Sequence, residues 1–452
     1  MSDAVAAVVT HARSLLAAGD AVAADDVLAR ALRDAPGDAD LLYLRGVAAA
    51  RRGDHASATV FLQEAVGLRP QMTVAWLALG HGRMRVEQFA AAIDAYARAV
   101  ALEPDAADGH FNLGVAHRRQ GDLAAAARDF FRAWQRDALM VRAGRACVDT
   151  VGLLARDDTR QDVGSVPGTV VAPSSDDMRP NRGSGSLTAA APSSIGLPRD
   201  PASISVVVCS IDATKGARVR ALYTRLLAEL PHDVQVLSDA RSLAEAYNRG
   251  VAASAGEVVI LSHDDIDILA VDFAARLLRH LDTADVLGTV GATRLTGPVP
   301  IWAGHPHVRG WIVHHVSGDP VWQVDLADWR PVAGDVSVLD GVLLVARRRA
   351  LVDVPFDATT FDGFHGYDVD WSHRAARAGY RLAAAGDLRV VHASRGRYDA
   401  EWQRYADRLC AKHGLAPPEF TEVPFHSTRL DSAAQVGAFF DRMMALAAKE
   451  SP

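Results

Sequence analysis

A 34-residue lattice runs through the first third of the chain and leaves it few ways to fold. Pro36, Pro70 and Pro104 lie 34 residues apart, and Gly19-Asp20, Gly53-Asp54 and Gly121-Asp122 keep the same spacing. Small residues recur where paired helices must approach: Gly46, Gly80 and Gly114 first, then Ala24, Ala58, Ala92 and Ala126, and Ala31, Ala65, Ala99 and Ala133. Leu28, Leu62, Tyr96 and Phe130 supply the large partners. A helical unit of this size buries its apolar face only against a copy of itself, so successive units stack into a curved solenoid. The spacing predicts four repeats over residues 5–138, a capping helix from Leu139 to Arg156, and an all-α domain over 1–156.

Period and pattern together identify these units as tetratricopeptide repeats. Arrays of this type hold a peptide or protein on the concave face, and by repeat position Tyr43, Leu77, His81, Met84, Phe111 and Arg118 face that groove. For each of them, packing between helices is the alternative. The asparagine ladder that grips peptide backbone in the nucleocytoplasmic O-GlcNAc transferases has one counterpart here, Asn112, which implies a different binding mode.

Residues 157–200 are rich in Ser, Gly, Pro and Asp, contain no aromatic residue, and read as a linker between two domains. The second domain, 201–452, opens with the β-branched run Ile204 to Cys209 and continues with a helical stretch from about Ala217 to Leu230 and a strand over Val234–Leu237. Its centre is Ser242 to Asp267, SLAEAYNRGVAASAGEVVILSHDDID. There a helix, a break at Gly256 and a buried strand over Val258–Leu261 lead into His263, Asp264, Asp265 and Asp267. Ligands of open α/β sheets sit beyond the carboxyl ends of strands, and carboxylates placed there hold hard divalent cations. An acidic cap on a following helix is the other reading of the same cluster.

That stretch resembles the family 2-like glycosyltransferases of the GT-A fold, whose A-x-N-x-G, A-x-G-E and D-x-D-D elements are matched in order. The matching residues are Ala246 to Gly250, Ala255-Gly256-Glu257 and Asp264-Asp265. Ser262 stands where the first Asp of D-x-D is usual. A second match, Phe361-Asp362 through Tyr367-Asp368-Val369-Asp370 to Arg374 and Ala378-Gly379-Tyr380-Arg381, resembles the family's F-D, G-E-D-x-D and A-G-Y-R/K elements, with Tyr367 replacing the Glu. The resemblance covers about 203–395 and implies an α/β, Rossmann-like domain with a mixed sheet that moves sugar from a nucleotide-sugar donor. It implies Asp368 as the base that deprotonates an acceptor with inversion, with an N-cap of its own helix as the alternative. A carboxylate at a helix start is expected to have depressed basicity. It also implies Asp264, Asp265 and His392 as ligands of Mn²⁺ or Mg²⁺, with His263 and Asp267 as helpers. Cys209, Ser210, Asp239, Asn248 and His263 then fall on the nucleotide-sugar side; for Asp239 the alternative is a surface ion pair or turn with Arg241. Asp340, Gly341, Tyr367, Trp302 and Trp311 fall on the sugar or acceptor side, where a small apolar subcluster is the alternative for the tryptophans. His305 and His307 form a weak H-x-H zinc signal without a compact third ligand.

The expected function is therefore a hexosyl- or N-acetylhexosaminyl-transferase using a UDP-sugar. Fusion to a peptide-binding array resembles bacterial protein O-glycosyltransferases, which implies Ser or Thr of a protein acceptor such as flagellin. A surface saccharide or lipid-linked glycan is the alternative acceptor, and a non-catalytic scaffold with a degenerate transferase domain is the alternative class. A net charge of −7 without a basic block argues against nucleic acid. Three scattered cysteines and the lack of a spanning apolar run fit a cytoplasmic protein without a membrane span. Oligomeric state is left open.

Overall fold

The computed structural model describes residues 3–163, 203–316, 318–394, 398–416 and 425–449. Two compact units divide them: Met1–Leu154 with His426–Thr428 and Arg442–Pro452, and Ala155–Phe425 with Arg429–Asp441. The first unit holds four helix pairs, α1 (Asp3–Ala17) with α2 (Ala21–Asp34), α3 (Ala39–Arg51) with α4 (His55–Leu68), α5 (Thr73–Arg85) with α6 (Phe89–Leu102), and α7 (Ala107–Gln120) with α8 (Leu123–Arg136). Their small and large positions interlock as the lattice requires. A Cβ on Gly46, Gly80 or Gly114 would come within 2.5–2.8 Å of Leu62, Tyr96 or Phe130, so the glycines set the closest approach within each pair. Helix α9 (Val141–Val163) follows and runs over 157–163, which the sequence reading gave to the linker; 164–200 lies outside the described residues.

The second unit is α/β with mixed sheets, as expected from the sequence. Its elements are β1 (Ile204–Cys209), α10 (Ala213–Leu226), β2 (His232–Leu237), α11 (Leu243–Ala253), β3 (Val258–Ser262), β4 (Ile266–Ile268), α12 (Phe273–Leu281), β5 (Val286–Gly288) and β6 (Val290–Ala292). There follow β7 (Val308–His314), β8 (Trp322–Leu326), β9 (Val332–Val336), β10 (Val338–Leu339), β11 (Leu343–Arg347), α13 (Arg348–Asp353), α14 (Tyr367–Arg377), β12 (Leu382–Ala385), β13 (Val390–His392) and α15 (Ala400–His413). The last two elements, β14 (His426–Leu430) and α16 (Ala433–Lys449), contribute residues to both units. One seven-stranded sheet has the order β2-β1-β3-β11-β5-β12-β9, with β1 parallel to β2 and β3, and β11 antiparallel to β3. Strands β1 and β3 are buried throughout except at Cys209, which is why they read as unbroken apolar runs. A second sheet runs β10-β6-β7-β13-β4. The acidic stretch after β3 enters β4 directly, so it caps no helix.

One repeat departs from the lattice in a way that the backbone registers. Gly19, Gly53 and Gly121 adopt positive φ before the second helix of their pairs, and Asp20, Asp54 and Asp122 cap those helices by accepting from Ala23, Ser57 and Ala125 at 2.8–3.0 Å. In the third pair the same places hold Glu87, at φ 59°, and Gln88, which makes no side-chain cap. A side chain in the left-handed region and a missing N-cap each cost about 1 kcal/mol. The double variant Glu87→Gly/Gln88→Asp is therefore expected to stabilise the repeat unit by about 1–2 kcal/mol in thermal or urea denaturation. An unchanged or lowered midpoint would show that the lattice does not govern stability at this turn.

Candidate active site

The strand ends build the site. Parallel pairing aligns Cys209 with Leu237 and Val208 with Ser262, so the segments after β1, β2 and β3 leave the sheet along one edge. Strand β11 runs the other way with Leu343 opposite Ser262, which brings Asp340-Gly341-Val342 to that edge, and His263 donates its backbone N–H to the Val342 carbonyl at 3.2 Å. From the second sheet, β13 pairs with β4 so that His392 faces Ile266, and the Ala393 N–H joins the Asp265 carbonyl at 2.8 Å.

These joins gather His263, Asp265 and His392, whose ligand atoms all lie within 4.8 Å of one another. The Asp265 carboxylate lies 3.3 Å from His392 Nε2 and 3.9 Å from His263 Nδ1, and His392 Nε2 also meets the Ser394 hydroxyl at 3.1 Å. Burial opposes its charge, but the His392 hydrogen bond and the two imidazoles hold the Asp265 carboxyl well below its usual range. Burial, followed by the neighbouring His392, lowers the His263 imidazole, so the ring favours the neutral form that metals bind. Two of the three residues expected as ligands, Asp265 and His392, thus lie together, and His263 rather than Asp264 joins them. Asp264 turns elsewhere: its Oδ2 accepts from the Ser210 hydroxyl at 2.6 Å. Ser262 cannot substitute for the usual first carboxylate, being buried with its hydroxyl donated to the His263 carbonyl at 2.8 Å.

Beyond this cluster, the N-terminus of α14 carries Asp368. Gly366, at φ 76°, is the residue that caps the helix, so Asp368 is not its N-cap; its Oδ2 reaches out and accepts the Gly341 N–H at 2.8 Å. A Cβ on Gly341 would lie 2.9 Å from that oxygen and 2.6 Å from the Tyr367 hydroxyl, so only glycine permits the approach. The expectation of depressed basicity is corrected here. Burial first, then the charge of Asp340, raise the Asp368 carboxyl to about 7, outweighing the backbone N–H groups of the helix start and Gly341. Tyr367 is buried; its hydroxyl lies 3.2 Å from His263 Nε2 and 3.4 Å from the Gly341 carbonyl, and so links the imidazole cluster to the loop that holds Asp368.

Other expected site residues are distributed unevenly. Ser210 joins the site through Asp264, whereas Cys209 is half-buried and its thiol is pushed up to about 12 by desolvation. Asn248 spends both amide groups on the backbone of Phe356, at 2.9 Å each, and so acts as a clamp between α11 and that loop rather than facing a nucleotide. Asp239 is exposed and pairs bidentately with Arg249 at 2.7 and 2.8 Å, the ion pair foreseen as its alternative but with a different partner. Trp311 is a core residue: it is fully buried, donates Nε1–H to the Asp328 carbonyl and stacks on Phe440, so no sugar reaches it. Trp302 sits in a half-buried turn with its ring 5.8 Å from Trp402, which in turn meets the exposed Tyr398 at 4.9 Å. His307 binds the Thr293 hydroxyl at 2.8 Å, and the H-x-H pair belongs to no metal-binding group among the described residues. Sequence reasoning did not connect His314 or Ser394 with His392, which both of them flank. The His314 Nδ1 meets the Ser394 carbonyl at 3.0 Å, and β7 and β13 place the two histidines side by side. Only strand pairing across 78 residues brings them together, and no spacing in the sequence signals it.

In the repeat unit, a cavity of about 510 Å³ is lined by His81, Met84, Arg51, Arg85, Tyr96 and Asn112 among others. His81 and Met84, two of the residues expected to face the groove, are among those that line this cavity. Tyr43, Leu77 and Phe111 do not line it: Tyr43 and Leu77 pack against buried clusters shared between neighbouring helix pairs, and Phe111 lies between Phe130 and Arg142.

Fold and site together define a repeat array followed by a glycosyltransferase-like domain, and comparison with known families agrees. Residues 205–412 match the family described as "Glycosyltransferase like family", and residues 9–73 and 77–139 match "Tetratricopeptide repeat". The chain thus carries a tetratricopeptide region and a family 2-like glycosyltransferase domain. No curated protein matches it. Among solved structures it is similar to the crystal structure of MamA, at 23% identity over 33% of this chain and 86% of that one, with a TM-score of 0.31. It is also similar to MamA 41-end from Desulfovibrio magneticus RS-1, at 21% over 36% and 92%, with a TM-score of 0.33. YrrB, described as a TPR protein with an unusual peptide-binding site, matches at 22% over 29% and 68%, with a TM-score of 0.28. Among the described residues no helix is long and apolar enough to cross a membrane.

The raised Asp368 carboxyl has a consequence for stability. A group whose folded pKa lies above its unfolded value contributes stability that is complete below the unfolded value and is lost as pH rises through the folded one. Thermal melting should therefore weaken between pH 4 and about 7 through this group, and Asp368→Asn should flatten that part of the profile. An Asn variant that keeps the full wild-type slope would place the titration elsewhere.

Proposed function

We propose that the chain is a metal-dependent, inverting glycosyltransferase that moves a sugar from a UDP-sugar to Ser or Thr of a protein acceptor. The observation that carries this reading is the meeting, at one sheet edge, of the His263–Asp265–His392 cluster with Asp368. A cation held by the first set supplies charge neutralisation for a departing diphosphate. Asp368 has the features of a general base: its pKa of about 7 lies near neutral pH, where a base is most effective, and Gly341 fixes its carboxylate. Ser210 and the hollow beside it, lined by Asp212 and Ser238 after β1 and β2 and by Gly216 and Arg220 of α10, suit the donor's nucleoside. The sugar class, hexosyl or N-acetylhexosaminyl, follows from the resemblance, as does flagellin as the first acceptor to try. In this reading residues 1–156 are the acceptor-binding region, and the cavity around His81 supports that role. Holding a protein acceptor there raises its local concentration at the transferase domain.

Three variants test the assignment by intact-mass spectrometry of candidate acceptors with UDP-sugars. Asp368→Asn should lower transfer about 10²- to 10⁴-fold while donor affinity measured by calorimetry is kept; loss of donor affinity instead would mark Asp368 as structural. Asp265→Ala should abolish metal-dependent transfer and metal-dependent donor hydrolysis, and full turnover with metal chelated would remove the centre from the mechanism. His81→Glu, which puts a carboxylate into the cavity of the repeats, should reduce modification of protein acceptors at least about tenfold and spare donor hydrolysis. Equal modification by this variant, or transfer to glycans alone, would move the acceptor to the saccharide class.

A further inference from the structure

We infer that the cation site is a two-histidine, one-carboxylate centre selective for transition metals, and that Tyr367 holds His263 in the tautomer that completes it. This deepens the proposed function by naming the metal class and a positioning residue. The acidic stretch after β3 offers four candidate groups, yet only two face the site. Asp264 is engaged by Ser210, and Asp267 accepts the N–H of Ile268 at 2.8 Å. What remains is one carboxylate, Asp265, and two imidazoles, His263 and His392. An ion about 2.0–2.2 Å from each donor separates its ligands by roughly 3–4 Å. The carboxylate lies 3.3 and 3.9 Å from the two imidazole nitrogens, which is that spacing. Oxygen-rich sites suit Mg²⁺ and Ca²⁺, whereas imidazole donors favour Co²⁺ and Zn²⁺ and, in company with a carboxylate, accept Mn²⁺ more readily than Mg²⁺.

The second part rests on hydrogen-bond direction. The Tyr367 hydroxyl has one proton, and the Gly341 carbonyl, 3.4 Å away, can only accept it. The lone pairs of that hydroxyl then accept from His263 Nε2–H at 3.2 Å. With Nε2 carrying the proton, Nδ1 presents its lone pair toward Asp265. Orientation of a metal-bound imidazole through its other nitrogen is the usual work of an outer partner, and losing it typically costs 10- to 100-fold in affinity. The tyrosine that replaces the carboxylate of the resembled motif thus compensates for Ser262: where an acidic first ligand is missing, a histidine next to it is turned inward.

Calorimetric titration of the full chain with Mn²⁺, Co²⁺ and Mg²⁺ tests this, together with the visible absorption of bound Co²⁺. Mn²⁺ and Co²⁺ should bind at one site at least about tenfold more tightly than Mg²⁺. His263→Gln, close in shape to the native side chain, should change the Co²⁺ spectrum and weaken its binding. Tyr367→Phe should weaken Co²⁺ binding about 10- to 100-fold, with the metal-free melting temperature monitored to separate positioning from misfolding. Mg²⁺ bound as tightly as Mn²⁺, or a Co²⁺ spectrum and affinity untouched by His263→Gln, would overturn the site; full Co²⁺ affinity in Tyr367→Phe would overturn the role of the tyrosine. These readouts do not depend on transfer. Co²⁺ binding that needs His263 in a chain that transfers no sugar would leave the centre standing and remove the transferase reading, and metal-dependent transfer indifferent to His263 would do the reverse.

Discussion

The candidate site depends on the short antiparallel join between β4 and β13. Three residues on each side pair, Val390 with Ile268, Val391 with Asp267 and His392 with Ile266, and the Ala393 N–H extends the ladder to Asp265. A one-residue slip would turn His392 to the opposite face of the sheet and separate it from Asp265. The register is held because Ile266, Ile268 and Val390 are buried in the main core of the domain, so the slipped arrangement would expose apolar groups. Apolar burial thereby fixes the register on which the polar contacts of the site depend.

The same economy is visible at Asp368. A carboxylate with a raised pKa is costly to keep charged, and the fold tolerates it because Gly341 leaves room for a direct backbone N–H contact. The next acidic residue along the helix, Asp370, is treated in the opposite way. It is fully buried and surrounded by Arg374, Lys412 and His413 at 2.6–2.9 Å, so its charge is balanced and ties α14 to α15. Two carboxylates two residues apart on α14 therefore serve different ends: one is matched by cations and structural, while the other lacks a cationic partner in its immediate hydrogen bonding and faces the site.

In the repeat unit, spacing alone carries the fold. Gly46, Gly80 and Gly114 meet Leu62, Tyr96 and Phe130 because a 34-residue period repeats one local contact, and each contact lies within a single helix pair. The strands of the second unit were legible for a related reason: Val206–Val208 and Val258–Leu261 are buried on both faces and must be apolar throughout.

The sequence by itself determined the repeat architecture, the α/β class of the second domain and the order of its two motifs, and it put Asp265, Asp368 and His392 forward as candidates. Only the tertiary structure decided which neighbours turn toward one another. It sent Asp264 to Ser210, Asn248 to Phe356 and Trp311 to the core, and it turned His263 and Tyr367 into the site. The physical reason is that side-chain direction in loops and the choice of polar partner depend on strand register and on groups 50 to 130 residues away. Local propensity and periodicity, which a sequence displays directly, contain neither.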